Sequence, residues 1–568
     1  MEGGRVLTVL LMVLLLVGLA DSSPPPEPVV CAHGTSDCTI SNAYSSFPDR
    51  TVCRAANAIF PRTEKELVAA VAAAVAAKRK VKVATKHSHS FPKLACPGGR
   101  DGTIISTERL NRVAAAEAGL ALPHSPYWSG LTIGGLLATG AHGSSLKGKG
   151  GAVHEYVVGM RMVTPAPESQ GFAVVRELCA DHPDLDAAKV SLGVLGVVSQ
   201  VAHICRVQEL LKVTLALEPM FKRSVTFVKR NDSDMAEQAV VWGGLHEFDD
   251  MAWLPQQRNV IYRKDDRVAI MSVGNGLNDY LAMRSSPTAD LISGRVMHEL
   301  LEKKNNTVAR CKEAPTSASL FEKAAYGFTN NGSLFMGYPV VGFQHRIQAS
   351  GLCLDSPEDA LLTTCPWDPR IRGTFFYNNA YSIALSRVSA FIADMKQLRN
   401  KNPKAFCGID AGLGILLRYI KASSAYLGKP EDSVDFDITY YRSYTKGEPN
   451  PYSGVLDELQ QMALHKYGAI PHWGKNRNFA FEGVIAKYPK ADKFLEVKGR
   501  YDPDGIFSSE WSDQVLGING SPIIVEKGCA IEGLCVCSED SHCAPEQGYY
   551  CRPGKVYVCP MAIIKSVL

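Results

Sequence analysis

The chain has 568 residues, 46% of them hydrophobic, enough for two or three domains around a large buried core and too apolar for a disordered chain. Its 61 basic and 57 acidic residues leave a net charge of +4, which offers no basic field to a nucleic-acid partner. Small-molecule chemistry is the starting expectation. Arg5 precedes the apolar run Val6–Ala20, and the small residues Gly18 and Ala20 fit a signal-peptidase site before Asp21. The run is shorter than the about 20 residues that a bilayer span needs. Residues 1–20 therefore read as a cleaved secretory signal, with an uncleaved signal anchor as the alternative, and no membrane span is expected after cleavage. A Pro-rich linker follows over 21–30.

Arg62 to Lys80 reads as a helix: Thr63 and Glu66 stand at capping-box spacing, and Leu67, Val71 and Val75 recur along one face. The strand "VKVAT" follows, then the loop "KHSHS". This order makes an α/β unit whose loop leaves the strand end, where open sheets place ligands. Ser129 to Ser145, "SGLTIGGLLATGAHGSS", is too rich in Gly for an ordinary helix, and repeated glycines let backbone N–H groups approach a planar or anionic ligand. "SLGVLGVVSQV", Ser191 to Val201, repeats the pattern with Gly193 and Gly196. Neither stretch is a P-loop or a dinucleotide fingerprint in a strand-to-helix turn.

Residues 207–450 read as a separate α+β unit, in which Val388, Phe391, Ile392 and Met395 fall on one helical face. A helix near Ser453 to Tyr467 leads into "PHWGK", and "RYDPDGIF" reads as a turn packed back on the first domain. All 16 cysteines lie after Ala20, and six of them crowd 529–559. In a secreted chain this predicts a small disulfide-stapled appendage, with a similar staple at Cys31, Cys38 and Cys53. A zinc site is the alternative, but paired Cys-x-x-Cys knuckles are lacking and no metal is expected. Asn231, Asn305, Asn331 and Asn519 begin glycosylation triplets.

The order of His-Ser loop, "GLTIGGLLATGAHGSS", "SLGVLGVVSQV", "PHWGK" and "YDPDGIF" resembles the FAD-dependent aldonolactone oxidoreductases of the vanillyl-alcohol-oxidase superfamily, and among them the plant L-gulonolactone oxidases. The resemblance implies an α+β fold. A two-part (PCMH-type) FAD-binding domain over 31–206 would be followed by an α+β substrate cap over 207–450, a return to the first domain over 451–520 and a Cys-rich tail over 521–568. It implies FAD as cofactor, bound covalently through His89 or noncovalently, with Ser90, Ser129, Gly134, Gly135, Gly140, His142, Gly143, Ser144, Gly193 and Gly196 around it. Thr85, Lys86 and His87 stand where the family prefers glycines. Catalytic roles are implied for Lys475, as the cation near flavin and substrate; for His472, as a positioning or proton-accepting group; and for Arg418. Arg418 matches the Arg of a Glu-x-Arg strand pair, whose Glu position is here Leu416. Between Val113 and Gly119 only "AAAEA" stands where the family carries another strand and helix, a loss expected to expose sheet edge.

The implied reaction is oxidation of L-gulono-1,4-lactone or a close aldonolactone at C2, giving ascorbate, with O2 or another electron acceptor. The alternatives are an FAD oxidase of another sugar or alditol and a secreted, non-catalytic carbohydrate-binding or interaction protein. The expected destination is the secretory pathway, extracellular or vacuolar.

Overall fold

The computed structural model describes residues 28–42, 50, 52–87, 91–110, 119–128, 130–200, 216–280, 299–301, 307–348, 376–412, 414–443, 445–557 and 561–565. The expected signal, the shortened join at 111–118 and the tether loop at Ser88, His89 and Ser90 lie outside them, as do Ser129 and Cys559.

Helix α1 (Glu64–Ala76) starts where its cap predicts: Thr63 Oγ1 accepts from Glu66 N at 3.2 Å. The Glu66 carboxylate closes the return bond on Arg62 N at 2.8 Å, one residue before the cap. Strands β1 (Val29–His33), β2 (Ser36–Ile40), β3 (Cys53–Ile59), β4 (Val81–Ala84) and β5 (Thr103–Ser106) form one sheet in the order β1-β2-β3-β5-β4. A short helix, α2 (Ile133–Thr139), precedes a second sheet of β6 (Gly159–Pro165), β7 (Ala173–Cys179) and β8 (Val197–Gln200), with β6 central. The apolar face of α1 joins the two sheets: Leu67, Val71 and Val75 pack with Val81 and Ile105 of the first and Val163, Ala173 and Val197 of the second. Burying each such Val or Leu contributes about 1.5–3 kcal/mol.

The "YDPDGIF" turn belongs to this core. Asp502 accepts from Ile506 N at 2.7 Å and Phe507 N at 2.8 Å, and Ile506 and Phe507 join the α1 cluster. Val81 N donates to Ile506 O at 2.8 Å, so the return segment covers β4 at the sheet edge, where three of the four residues are buried. The expectation of an exposed edge at the shortened join falls on 111–118, outside the described residues.

The cap is built on an eight-stranded antiparallel sheet of β9 (Lys222–Asn231), β10 (Asp250–Leu254), β11 (Asn259–Val268), β12 (Val340–Phe343), β13 (Phe376–Ala384), β14 (Ile415–Ile420), β15 (Ser433–Tyr441) and β16 (Ile470–Pro471). Their order is β12-β9-β11-β10-β14-β15-β13-β16. Helix α3 (Leu385–Lys401) buries Val388, Phe391, Ile392 and Met395 against one face, with Phe391 edge-on to Phe436 at 5.0 Å. Alternation along the strands turns Leu416, Arg418 and Asp437 to the other face.

Disulfides join Cys31–Cys38, Cys53–Cys96, Cys311–Cys407, Cys529–Cys535 and Cys537–Cys551. Four of the five described tail cysteines pair this way, as the disulfide-stapled reading expects. Cys543 remains a buried thiol, pushed up to about 12 by burial. The tail docks through Glu532 on both domains, pairing with Arg50 of the first at 2.9 Å and with Arg442 of the cap. No helix among the described residues is long and apolar enough to cross a membrane.

Candidate active site

A cavity of about 720 Å³ lies between the cap sheet and the glycine-rich segments of the first domain. Its two walls are built by different means.

The first-domain wall is largely backbone. Thr132 caps α2 by accepting from Gly135 N at 3.3 Å, and Gly140 ends it in a left-handed conformation with φ +63°. Gly134 and Gly193 border the cavity, and a Cβ at either would meet no heavy atom within 4 Å. Side chains there would project into the space the wall leaves free. Gly196 also borders it; with φ +137°, its Cβ would fall 2.4 Å from Val163 O. Gly135 and His142 line the cavity as well.

Gly140, Gly143 and Ser144 are placed elsewhere. Gly143 sits where a Cβ would come within 2.6 Å of Ser125 O. Ser144 Oγ donates to Asp249 O and accepts from Tyr419 N at 2.8 Å, bolting the glycine-rich segment to β14. Both serve the seam between the domains. Gly140 closes α2 and borders a separate, much smaller chamber.

The cap wall is made of cross-strand side-chain rows. In one row Arg263, Asp250, Arg418 and Asp435 stand opposite one another across β11, β10, β14 and β15, so charges alternate from strand to strand. In the next row Ile261, Ala252 and Leu416 give an apolar strip that ends at Asp437. Arg418 donates to Asp435 at 2.9 Å, to Asp437 at 2.6 Å and to the carbonyl of His142 at 3.0 Å. Burial works against its charge, but Asp437 and Asp435 outweigh that and raise its pKa. Lys475 Nζ donates to both Asp437 oxygens, at 2.7 and 3.0 Å. Arg418, Asp437, Lys475, His142 and His472 all line the cavity.

The "PHWGK" turn is held by a residue the sequence reading did not single out. Asn476 adopts φ +76°, a conformation Asn tolerates better than most residues. Its side chain accepts from Ala380 N at 2.9 Å and donates to Ala380 O and His472 O at 3.1 Å, locking the turn to β13. Trp473 is buried, stacks on Tyr488 at 5.3 Å and donates to Leu427 O at 3.1 Å, a packing role. His472 Nδ1 accepts from Gly474 N at 3.0 Å, which leaves the neutral ring's proton on Nε2. Burial, then Lys475, keeps His472 neutral; burial, then Arg418, does the same for His142, whose ring lies 5.8 Å away.

Two further residues were missed. Asp437 lies 21 positions from its cross-strand neighbour Leu416, a spacing no local pattern reports. Lys82 reads as one residue of an apolar strand, yet it borders the cavity with its Nζ buried and without a hydrogen-bond partner among the described residues. Burial lowers its pKa to about 7. A flat glycine wall with room above it and a buried amine that a nearby anion would keep protonated suit a ligand that is both planar and anionic, which FAD is.

The fold and this site define a two-domain, FAD-dependent oxidoreductase. The chain shares this fold with a solvent-stable cholesterol oxidase, at a TM-score of 0.61 over 88% of this chain and 99% of the other, with 14% identity. Residues 370–515 match the family described as D-arabinono-1,4-lactone oxidase, and 526–560 match the L-gulonolactone oxidase 2-like C-terminal domain. L-gulonolactone oxidase 2 of Arabidopsis thaliana is 50% identical over 97% of this chain and 96% of its own length. The L-gulono-1,4-lactone dehydrogenase of Mycobacterium tuberculosis (strain CDC 1551 / Oshkosh) is 23% identical over 84% of this chain and 100% of its own. The chain belongs to the L-gulonolactone oxidase family.

Proposed function

We propose that this protein oxidises L-gulono-1,4-lactone, or a close aldonolactone, at C2, yielding ascorbate, with O2 as the electron acceptor. The observation that carries the reading is the pair of cations, Lys475 and Arg418, shared by Asp437 on the cap wall and facing the glycine wall. FAD, when bound, supplies the hydride acceptor. Gly134, Gly135, Gly193 and Gly196 would hold it by close backbone approach, with Lys82 balancing its negative charge and His89 as the covalent tether.

The residues of the chain do the rest. The C2 hydroxyl proton passes to solvent, negative charge develops on the C2 oxygen, and departure of hydride from C2 draws that charge into the new C=O bond. Lys475 and Arg418 are already fixed on Asp437 and Asp435, so their field is in place before the charge forms. His472 presents Nε2–H and so holds the same oxygen as a donor; the Gly474 contact at Nδ1 argues against a proton-accepting role in the resting ring. A purely sugar-binding protein would have no use for a buried and a half-buried cation held together beside a glycine wall.

Secretion is part of the same proposal, since the described disulfides need an oxidising compartment. Asn231, Asn331 and Asn519 are exposed and so open to a glycan. The test is turnover of a panel of aldonolactones and alditols by the secreted protein, with oxygen uptake and product identified together. The expected result is lactone consumption with ascorbate as product; turnover confined to alditols, or none, would overturn the reading.

A further inference from the structure

We propose that Asp437 is the substrate-ordering carboxylate of this site, accepting across one strand a hydroxyl that Leu416, directly opposite it, cannot bind. The inference rests on the lactone reading above. Leu416 borders the cavity but offers no hydrogen bond, and Ala252 and Ile261 continue its row with none either. A small polyhydroxylated ligand laid over that strip would leave hydroxyls unpaired, at a cost of about 1–3 kcal/mol each.

Asp437 stands directly opposite Leu416 in the β14–β15 register and lines the same cavity. Its side chain keeps 14% of its surface exposed, whereas that of neighbouring Asp435 keeps 0%. Only Asp437 of the two can therefore reach a ligand. An ionised carboxylate has about four acceptor positions. Asp437 uses three, two for Lys475 and one for Arg418, and accepts nothing else among the described residues. The fourth is free for a substrate hydroxyl. Such a contact would orient the lactone by the same group that orients both cations, so binding and transition-state stabilisation share one anchor.

A residue that merely steadied Lys475 would affect all substrates alike, so the test uses hydroxyl discrimination. Kinetics with L-gulono-1,4-lactone and its monodeoxy analogues are compared in the wild type, Asp437→Asn, Asp437→Glu, and the swap Leu416→Glu with Asp437→Leu, each checked for retained flavin absorbance. The wild type is expected to reject one analogue by about 10²-fold or more in kcat/KM, because a site built to bond a hydroxyl penalises its loss. In Asp437→Asn that preference should shrink to within about tenfold. Asp437→Glu, and the swap if it folds, should restore part of it. Equal loss on the parent lactone and every analogue overturns the proposal while leaving the lactone reading intact. A wild-type protein whose bound flavin no lactone reduces overturns both.

Discussion

The two walls of the cavity solve different problems. The first-domain wall presents backbone, kept low by Gly134 and Gly193, and could accept any flat, phosphate-bearing ligand. The cap wall presents charges whose positions depend on one another: Arg418 needs Asp435 and Asp437, Lys475 needs Asp437, and the "PHWGK" turn needs Asn476. The first wall should thus tolerate conservative change outside its glycines, while in the second the loss of one member leaves its partners unpaired.

The largest expected effect is on the cap side. Lys475→Met should lower kcat/KM for the lactone by about 10²–10³-fold, the usual loss when one preorganised group facing the developing charge is removed. Flavin content should stay unchanged, read from the visible absorbance of the purified variant. Loss of flavin instead would mean that Lys475 belongs to the cofactor wall. Next in size, Gly193→Val should strip the opposite wall: its side chain would enter the cavity at a position with φ +64°, so bound flavin should fall severalfold. The per-flavin turnover of the remaining holoprotein should change far less.

The smallest effect is a pH dependence on the first-domain side. The pKa of Lys82 is lowered from 10.5 to about 7 by burial. Between those values the unfolded chain keeps a proton that the folded chain has released, so stability should rise as pH rises from about 7 toward 10. The Lys82 contribution to that slope is at most about 1.4 kcal/mol per pH unit. Denaturant unfolding of flavin-free protein should show a flatter profile in Lys82→Met than in the wild type; identical profiles would place the ammonium in contact with an anion or water.

The same contrast explains what could be read from the sequence. Gly134, Gly135, Gly193 and Gly196 announce themselves because glycine is chosen for backbone reasons, and these are local. The cap helix is equally legible, since Val388, Phe391, Ile392 and Met395 follow one period and are buried together. Gly143 and Ser144 share the glycine-rich stretch, yet Gly143 packs against Ser125 and Ser144 binds β14, because the chain turns away from the cavity after His142. Asp437 was invisible for the opposite reason: its meaning depends on the register of β14 against β15, which no short window contains. Leu416 stands directly opposite Asp437 in that register, so the carboxylate nearest to it is on the adjacent strand.

The most direct test of a lactone oxidised between these two walls is anaerobic titration of the purified, secreted protein with L-gulono-1,4-lactone, followed by the flavin's visible absorbance. Bleaching in proportion to added lactone, with absorbance returning on admission of air, is the result the structure predicts. A flavin that stays oxidised in excess lactone, in protein shown to be folded and loaded, would contradict it.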